Sequence, residues 1–365
     1  LLVDGGGIRG ISSLLILEFL LDLITQELKR RGVLPDEHSI LDPQEVFDFA
    51  VGTSTGGLIA LMLVKLDMTI NECLEQYQIL SKQIFRKDRP LWRRIFGSDI
   101  SKYSASRLQT AVEGLLSRKG LPADMSMRCS SQKNKMIGSV LSHELPSLET
   151  RFFCTHECSG PYHLNMMNCD LQLRHAARAT SAAPSYFKPM RIQGRQFVDG
   201  GYGETNNPSW AAWWHYKQNH NLSSDQTLVM INIGTGTCAR TDSEPQAQQR
   251  PLWTKLIPNG IVAAQGLMAD LAKMATDAEA PASRLWYIAD TSPEQLLIER
   301  FSVDTGIDTI KLDDWQAATS TNRPSIVEVK TKAYLEKPEV RQSLERAAIA
   351  LADVYVGRQA ASEPQ

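Results

Sequence analysis

Val46-Phe47-Asp48-Phe49-Ala50-Val51-Gly52-Thr53-Ser54-Thr55-Gly56-Gly57-Leu58-Ile59-Ala60-Leu61 sets a serine among glycines at the junction of two apolar runs. The first run is short and rich in aromatic and β-branched residues, which predicts a buried strand over 46–51. The second, Leu58 to Val64, predicts the helix that follows it. A chain turning that sharply from strand to helix leaves no room for side chains beside the turn, so Gly52 and Gly56 support the serine by their lack of a Cβ. Ser54 would project its hydroxyl at a helix N-terminus, where backbone N–H groups and the macrodipole favour developing negative charge. Such a turn is a nucleophile elbow. A glycine-rich turn with an N-capping serine is the competing reading, and two further segments decide between them.

Leu1-Leu2-Val3-Asp4-Gly5-Gly6-Gly7-Ile8-Arg9-Gly10 runs an apolar strand into three glycines and then into a long amphipathic helix. Bare backbone N–H groups in such a row can stabilise an oxyanion, and one well-placed donor contributes about 2.7 to 4 kcal/mol to a transition state. Gly5, Gly7 and Gly10 also fit the dinucleotide pattern G-x-G-x-x-G. That reading requires an acidic residue at the end of the next strand to hold a ribose. Here the next strand delivers the serine, while Asp22 and Glu27 fall within the helix pattern.

Arg195-Gln196-Phe197-Val198-Asp199-Gly200-Gly201 predicts a short strand ending in an aspartate and a tight turn, with Gly200 supporting it. Its significance comes from the histidines. A Ser-Asp-His triad of the α/β-hydrolase order places its histidine near the chain end, and no histidine follows His220. His143, His156, His163, His175 and His215 do follow the serine, none in a strand-end turn. Asp199 acting directly on Ser54 is the simpler arrangement, provided the two approach within about 2.6 to 3.2 Å.

Together the three segments resemble the patatin-like phospholipases, lipid acyl hydrolases with a Ser-Asp dyad. Gly5-Gly6-Gly7-Ile8-Arg9-Gly10 is similar to the family's oxyanion loop, Gly52-Thr53-Ser54-Thr55-Gly56 to its nucleophile motif and Asp199-Gly200-Gly201 to its base motif. Ala177 to Phe187, Asn206-Asn207-Pro208, Ile233-Gly234-Thr235-Gly236, Arg300 to Asp304 and Leu312-Asp313-Asp314 extend the likeness along nearly the whole chain. The departure is at 120–150, where the family has a clear apolar strand and Met136 to Leu141 reads as a weak one. The resemblance implies a three-layer α/β/α fold with a central, mainly parallel sheet. It also implies Ser54 as nucleophile, Asp199 as base, and an oxyanion hole from the N–H groups of Gly5, Gly6, Gly7 and Thr55. The reaction it implies is hydrolysis of glycerolipid esters through an acyl-enzyme, with no cofactor and no catalytic metal. Transfer of the acyl group to an alcohol or lysolipid, and a lipid-binding module without turnover, carry the same motifs.

The 365 residues nearly balance their charges, with a formal net charge of −2, which gives no footing for a nucleic-acid partner. No apolar run approaches the roughly 20 residues that span a bilayer, so membrane contact is expected to be peripheral. Residues 82–96 supply a candidate surface, interleaving six basic residues with Phe85, Trp92 and Phe96, a combination suited to anionic lipid. Rings packing inward beneath a solvated loop are the alternative. Residues 1–358 read as one domain and 359–365 as a polar tail or the start of a linker. Leu1 opens inside the first strand, which suggests a longer parent protein with further domains.

The six cysteines form no disulfide framework, pointing to a reducing, cytoplasmic location. Cys154, His156, Cys158, His163, Cys169 and His175 lie close in sequence, but their spacing matches no paired metal-ligand pattern. Arg9 stands at a helix start, where a cation opposes the macrodipole. It is therefore expected to pair with a carboxylate that fixes the glycine loop, or else to face a lipid phosphate.

Overall fold

The computed structural model describes residues 1–86, 88, 101–128, 136–157, 171–220, 226–237, 278–291, 296–319 and 324–362. Most of 82–96 lies outside the described residues. Eight strands form one sheet: β1 (Leu2–Val3), β2 (Phe49–Thr53), β3 (Ile137–Leu145), β4 (Glu149–Cys154), β5 (Met190–Ile192), β6 (Arg195–Asp199), β7 (Leu228–Ile233) and β8 (Leu296–Phe301). The order is β5-β6-β3-β2-β1-β7-β8, with β4 pairing β3 off that path. Strands β3, β2, β1, β7 and β8 run parallel, while β4, β5 and β6 join antiparallel.

Helices cover both faces. On one lie α1 (Gly10–Arg30), α3 (Thr55–Val64), α4 (Ile70–Phe85) and α5 (Ala105–Arg118). On the other lie α7 (Ser209–Asn219) and α8 (Glu279–Thr291), packed on Leu2, Val51, Leu141 and Phe152. The short α2 (Pro43–Val46) precedes β2, and α6 (Leu173–Thr180) precedes β5. After β8 come α9 (Trp315–Ala318), α10 (Ile326–Leu335) and α11 (Pro338–Ser362). The α1 stripe of Ile11, Leu14, Leu17, Leu21, Ile24 and Leu28 is buried, each side chain contributing about 1.5–3 kcal/mol. Its last turn carries Lys29 and Arg30 before Gly32, whose φ of 72° ends the helix.

Three expectations need correction. The strand expected at 46–51 starts at Phe49 and runs to Thr53, because Asp42-Pro43-Gln44-Glu45 nucleates α2. Proline occupies its first turn and the Asp42 N–H donates to the Glu45 carboxylate at 2.7 Å, a capping box. The weak strand at Met136–Leu141 is the nine-residue β3, paired to β2, β4 and β6. Its apolar signal is diluted by small residues the packing demands: a Cβ on Gly138 would meet Val64 Cγ2 at 2.8 Å and Ala50 O at 2.9 Å. Finally, α11 continues through Gln359–Ser362, since Gln359, Ala360 and Ala361 are good helix formers and no glycine or proline interrupts them. Residues 363–365 lie outside the described residues.

Candidate active site

β3 explains how the two reactive groups meet. Leu141 faces Phe152 of β4 on one side and Thr53 of β2 on the other; the next residue, Ser142, faces Arg151 of β4 and Asp199 of β6. β2 and β6 therefore share one edge of β3, arriving from opposite directions and ending against consecutive residues. Ser54 follows the end of β2, and its hydroxyl donates to Asp199 Oδ2 at 2.6 Å. The other carboxylate oxygen accepts the Gly201 N–H at 2.8 Å, so the short 3-10 turn at Gly200–Tyr202 fixes the orientation of Asp199.

The elbow is strained as its sequence requires. Ser54 has φ 54° and ψ −124°, outside the ordinary regions for a residue with a Cβ. A Cβ on Gly52 would meet Gly56 O at 2.1 Å, and one on Gly56 would meet Val3 O at 2.3 Å. Thr180 Oγ1 accepts the Ser54 N–H at 2.9 Å and donates to Leu141 O at 2.5 Å, tying the turn to α6 and β3.

The glycine loop lies against Ser54, a Cβ on Gly5 coming within 3.0 Å of Ser54 Cβ. Its donors are not equivalent. The Gly5 N–H is committed to Asn206 O at 3.0 Å, whereas the Gly6 N–H reaches the Thr55 hydroxyl at 3.2 Å. Gly7 has φ 59°, and Tyr77 OH donates to its carbonyl at 2.6 Å. Thr235 Oγ1 donates to Gly5 O at 2.7 Å from the other side. The Gly5 amide is thus held by backbone and the Gly6 amide by a side-chain hydroxyl, while Thr55 opens α3 directly after Ser54.

Arg9 holds the loop from behind. It is buried and donates to Ile310 O through Nε at 2.8 Å and to Asp308 O through Nη2 at 2.6 Å. The expected carboxylate partner gives way in these bonds to peptide carbonyls of the C-terminal segment. Asp4, at the end of β1, has the charged partner: Arg300 donates to it at 2.8 Å and Asn232 at 2.9 Å, with Asn207 donating on to Asn232 at 2.9 Å. Burial pushes the Asp4 carboxyl up to about 6 against the pull of Arg300.

Burial also pushes Asp199 up to about 7, against the Ser54 hydrogen bond, the Gly201 amide and the positive charge of Arg178. Arg178 is 2% exposed. Its Nη2 donates to Lys188 O, its guanidinium lies 5.4 Å from the Phe187 ring, and its Nη1 has no hydrogen-bond partner among the described residues. Desolvation brings this guanidinium down to about 10, with Asp199 opposing the shift. Arg178, Thr180 and Tyr77 are not singled out by the sequence alone. Arg178 and Thr180 lie in the quoted Ala177–Phe187 segment, whereas Tyr77 had no signal beyond a helical apolar stripe.

Two histidines near the sheet are engaged elsewhere. His143 Nε2 sits 3.1 Å from Thr205 Oγ1, and burial lowers its pKa. His215 stacks on Phe152 at 4.2 Å between centroids. Beside Ser54 opens an apolar cavity of about 60 Å³, lined by Leu58, Ile84, Phe85, Leu108, Tyr186 and Phe187 among others. Cavities of about 280 and 320 Å³ lie elsewhere, with neither Ser54 nor Asp199 in their walls. Phe85 packs edge-on to Tyr103 at 5.2 Å and so turns inward, while Lys82, 5.8 Å from the Trp315 ring, and Arg86 stay exposed. Trp92 and Phe96 lie outside the described residues.

A family model for patatin-like phospholipases matches residues 1–213. The chain belongs to the patatin-like phospholipase family. Among curated relatives, it is 24% identical over 253 residues to a calcium-independent phospholipase A2-gamma of Rattus norvegicus, covering 65% of this chain and 28% of that one. It is 25% identical over 287 residues to phospholipase A I of Arabidopsis thaliana, covering 65% and 20%. A cGAMP-activated phospholipase of Escherichia coli is 27% identical over 239 residues, covering 64% and 60%. The matches span less than two thirds of these relatives' own lengths, from 20% to 60%. VipD from Legionella pneumophila aligns over 97% of this chain and 66% of its own at 10% identity, with a TM-score of 0.34.

Proposed function

We propose that this chain hydrolyses fatty-acyl esters of glycerophospholipids or related glycerolipids through an acyl-enzyme on Ser54, with Asp199 as the base. The observation that carries the reading is the 2.6 Å bond from the Ser54 hydroxyl to Asp199 Oδ2, at an elbow facing a glycine loop. Phospholipases among the relatives favour a lipid ester over other acyl donors.

In this mechanism Asp199 takes the Ser54 proton as Oγ attacks the ester carbonyl. The tetrahedral oxyanion is held by the Gly6, Gly7 and Thr55 N–H groups at the positive end of α3. Asp199 returns the proton to the leaving lysolipid oxygen, then accepts one from the water that attacks the acyl-enzyme and passes it to Ser54 Oγ as the fatty acid leaves. The apolar cavity beside Ser54 takes the first carbons of the acyl chain, with Phe85 and Phe187 in its wall. A carboxyl raised to about 7 suits both halves of the cycle, since it gains and loses a proton near neutral pH.

No helix among the described residues is long and apolar enough to cross a membrane. A peripheral, cytoplasmic encounter with the bilayer through 82–96 belongs to the same proposal. The test is incubation with mixed phospholipid vesicles and with a fluorophosphonate probe. Release of fatty acid and labelling of one serine, both lost in Ser54→Ala, is the expected result. Fatty-acid release that survives in folded Ser54→Ala would overturn it.

A further inference from the structure

At the other end of the sheet, three soft donors from separate positions converge. Cys154 closes β4, His156 follows it by two residues, and His215 comes from α7 across the sheet face. One donor atom from each lies within 4.8 Å of the others, and Cys154 Sγ is 4.0 Å from His215 Nε2. Cys154 and His215 are buried. Phe49, the first residue of β2, meets the His156 ring edge-on at 5.8 Å. The cluster thus sits at the start of the strand whose end delivers Ser54, about 16 Å away at roughly 3.3 Å per residue.

Each donor is held in place by a neighbour. Thr155, between two of them, is pinned to β3 twice: its N–H donates to Gly138 O at 2.9 Å, and its hydroxyl accepts the Gly138 N–H at 3.0 Å. Ser139 Oγ donates to Cys154 Sγ at 3.2 Å, the hydrogen bond that steadies a thiolate ligand. His215 is stacked on Phe152 with an interplanar angle of 11°. Tetrahedral zinc, with bonds of about 2.3 Å to sulfur and 2.0–2.1 Å to nitrogen, sets such ligands about 3.6 Å apart. The cluster needs to contract by only a few tenths of an ångström to about one ångström to reach that geometry.

We propose that Cys154, His156 and His215 bind a zinc ion that clamps α7 to the end of β4. One thiolate with two imidazoles is a donor set that suits zinc. The consequence is structural: α7 begins at Ser209, two residues after Asn207, so the clamp would steady the helix that anchors the loop running back to Asp199. The ester chemistry, about 16 Å off, does not pass through it.

The protein, stripped with a chelator, is titrated with Zn2+, and with Co2+ as a spectroscopic stand-in. Expected are a thiolate-to-cobalt charge-transfer band displaced by Zn2+, a rise in Tm on adding Zn2+, and protection of Cys154 from alkylation, read by peptide mass spectrometry. Cys154→Ser and His215→Gln should weaken Zn2+ binding by roughly 100-fold or more, and Ser139→Ala by roughly 10-fold. Cys73→Ser, at a buried cysteine in α4, should bind as the parent does. Should Cys154→Ser fail to fold, the alkylation footprint on the unaltered chain decides alone. Alkylation of Cys154 at the same rate with and without Zn2+, or a charge-transfer band that persists in folded Cys154→Ser, would overturn the proposal.

Discussion

Thr53 and Asp199 end two different strands, yet they face consecutive residues of β3, Leu141 and Ser142. This head-to-head arrangement joins residues far apart in sequence without any loop having to reach across the site. It also makes Asp199 a buried group: the carboxylate sits at a strand end inside the sheet's edge pairing, only 3% exposed. Its elevated pKa follows from that position, and so does the first prediction.

With a carboxyl raised to about 7 that must be ionised to accept the serine proton, kcat/KM for a soluble ester should rise with pH through a single limb near 7. Arg178 lowers that value through its charge, so Arg178→Gln should move the limb to higher pH, losing more activity at pH 6 than at pH 8.5. A uniform loss at all pH values would mean that Arg178 only supports the local fold.

The same burial carries a stability cost with a definite sign. Unfolded, the Asp199 carboxyl loses its proton near 3.8; folded, it keeps it to about 7. Between those values the folded state binds more protons, so this residue's stabilising share is full below about pH 4 and lost as pH rises through 7. Asp199→Asn should therefore be inactive and, above pH 7, more stable than the parent, by on the order of 2 kcal/mol in denaturant titration. Asp4, raised to about 6, keeps part of the slope in both proteins. An Asn variant less stable than the parent at pH 8 would show that the carboxylate is a net stabiliser.

Much of this site is legible from sequence because its chemistry needs bare backbone. Gly52, Gly56 and Gly6 occupy places where a Cβ would strike neighbouring atoms at 2.1 to 2.3 Å, so a glycine there announces the turn. Asp199 was readable by elimination of the histidines. What could not be read depends on contacts across the fold. Arg9 finds Ile310 O some 300 residues away, and Thr180 reaches Ser54 from α6. β3 reads only as a weak, shorter strand for a related reason: its serines, polar in sequence, bury their hydroxyls on carbonyls and a thiol inside the sheet, as Ser142 does on Val198 O at 2.5 Å.

Tyr77 tests the oxyanion loop without touching the reacting atoms. Its hydroxyl is the tether on Gly7 O at 2.6 Å, and a single hydrogen bond of this kind contributes about 1 kcal/mol. Tyr77→Phe should lower kcat roughly 3- to 10-fold with little change in KM. Gly6→Ala, whose methyl would collide with Thr235 Oγ1 at 2.1 Å, should lose far more, on the order of 100-fold. Steady-state kinetics on a chromogenic ester measures both. Parent-like rates in folded Gly6→Ala would remove this loop from the oxyanion site.

The apolar cavity makes a claim about which part of the lipid is recognised. Ala183 lines it together with Ser54, Ser181 and Tyr186 and is only half-buried, so a larger side chain there is expected to fill the cavity. Ala183→Phe should leave hydrolysis of an acetyl ester within about twofold of the parent while cutting kcat/KM for long-chain esters by 10-fold or more, since each methylene denied burial forfeits about 0.8 kcal/mol. The contrast between chain lengths is the decisive readout, because general damage to the elbow would lower both rates together. Equal losses on acetyl and long-chain esters, with Ser54 still labelled by a fluorophosphonate, would place the acyl chain outside this cavity and leave Leu108 and Phe187 as packing alone.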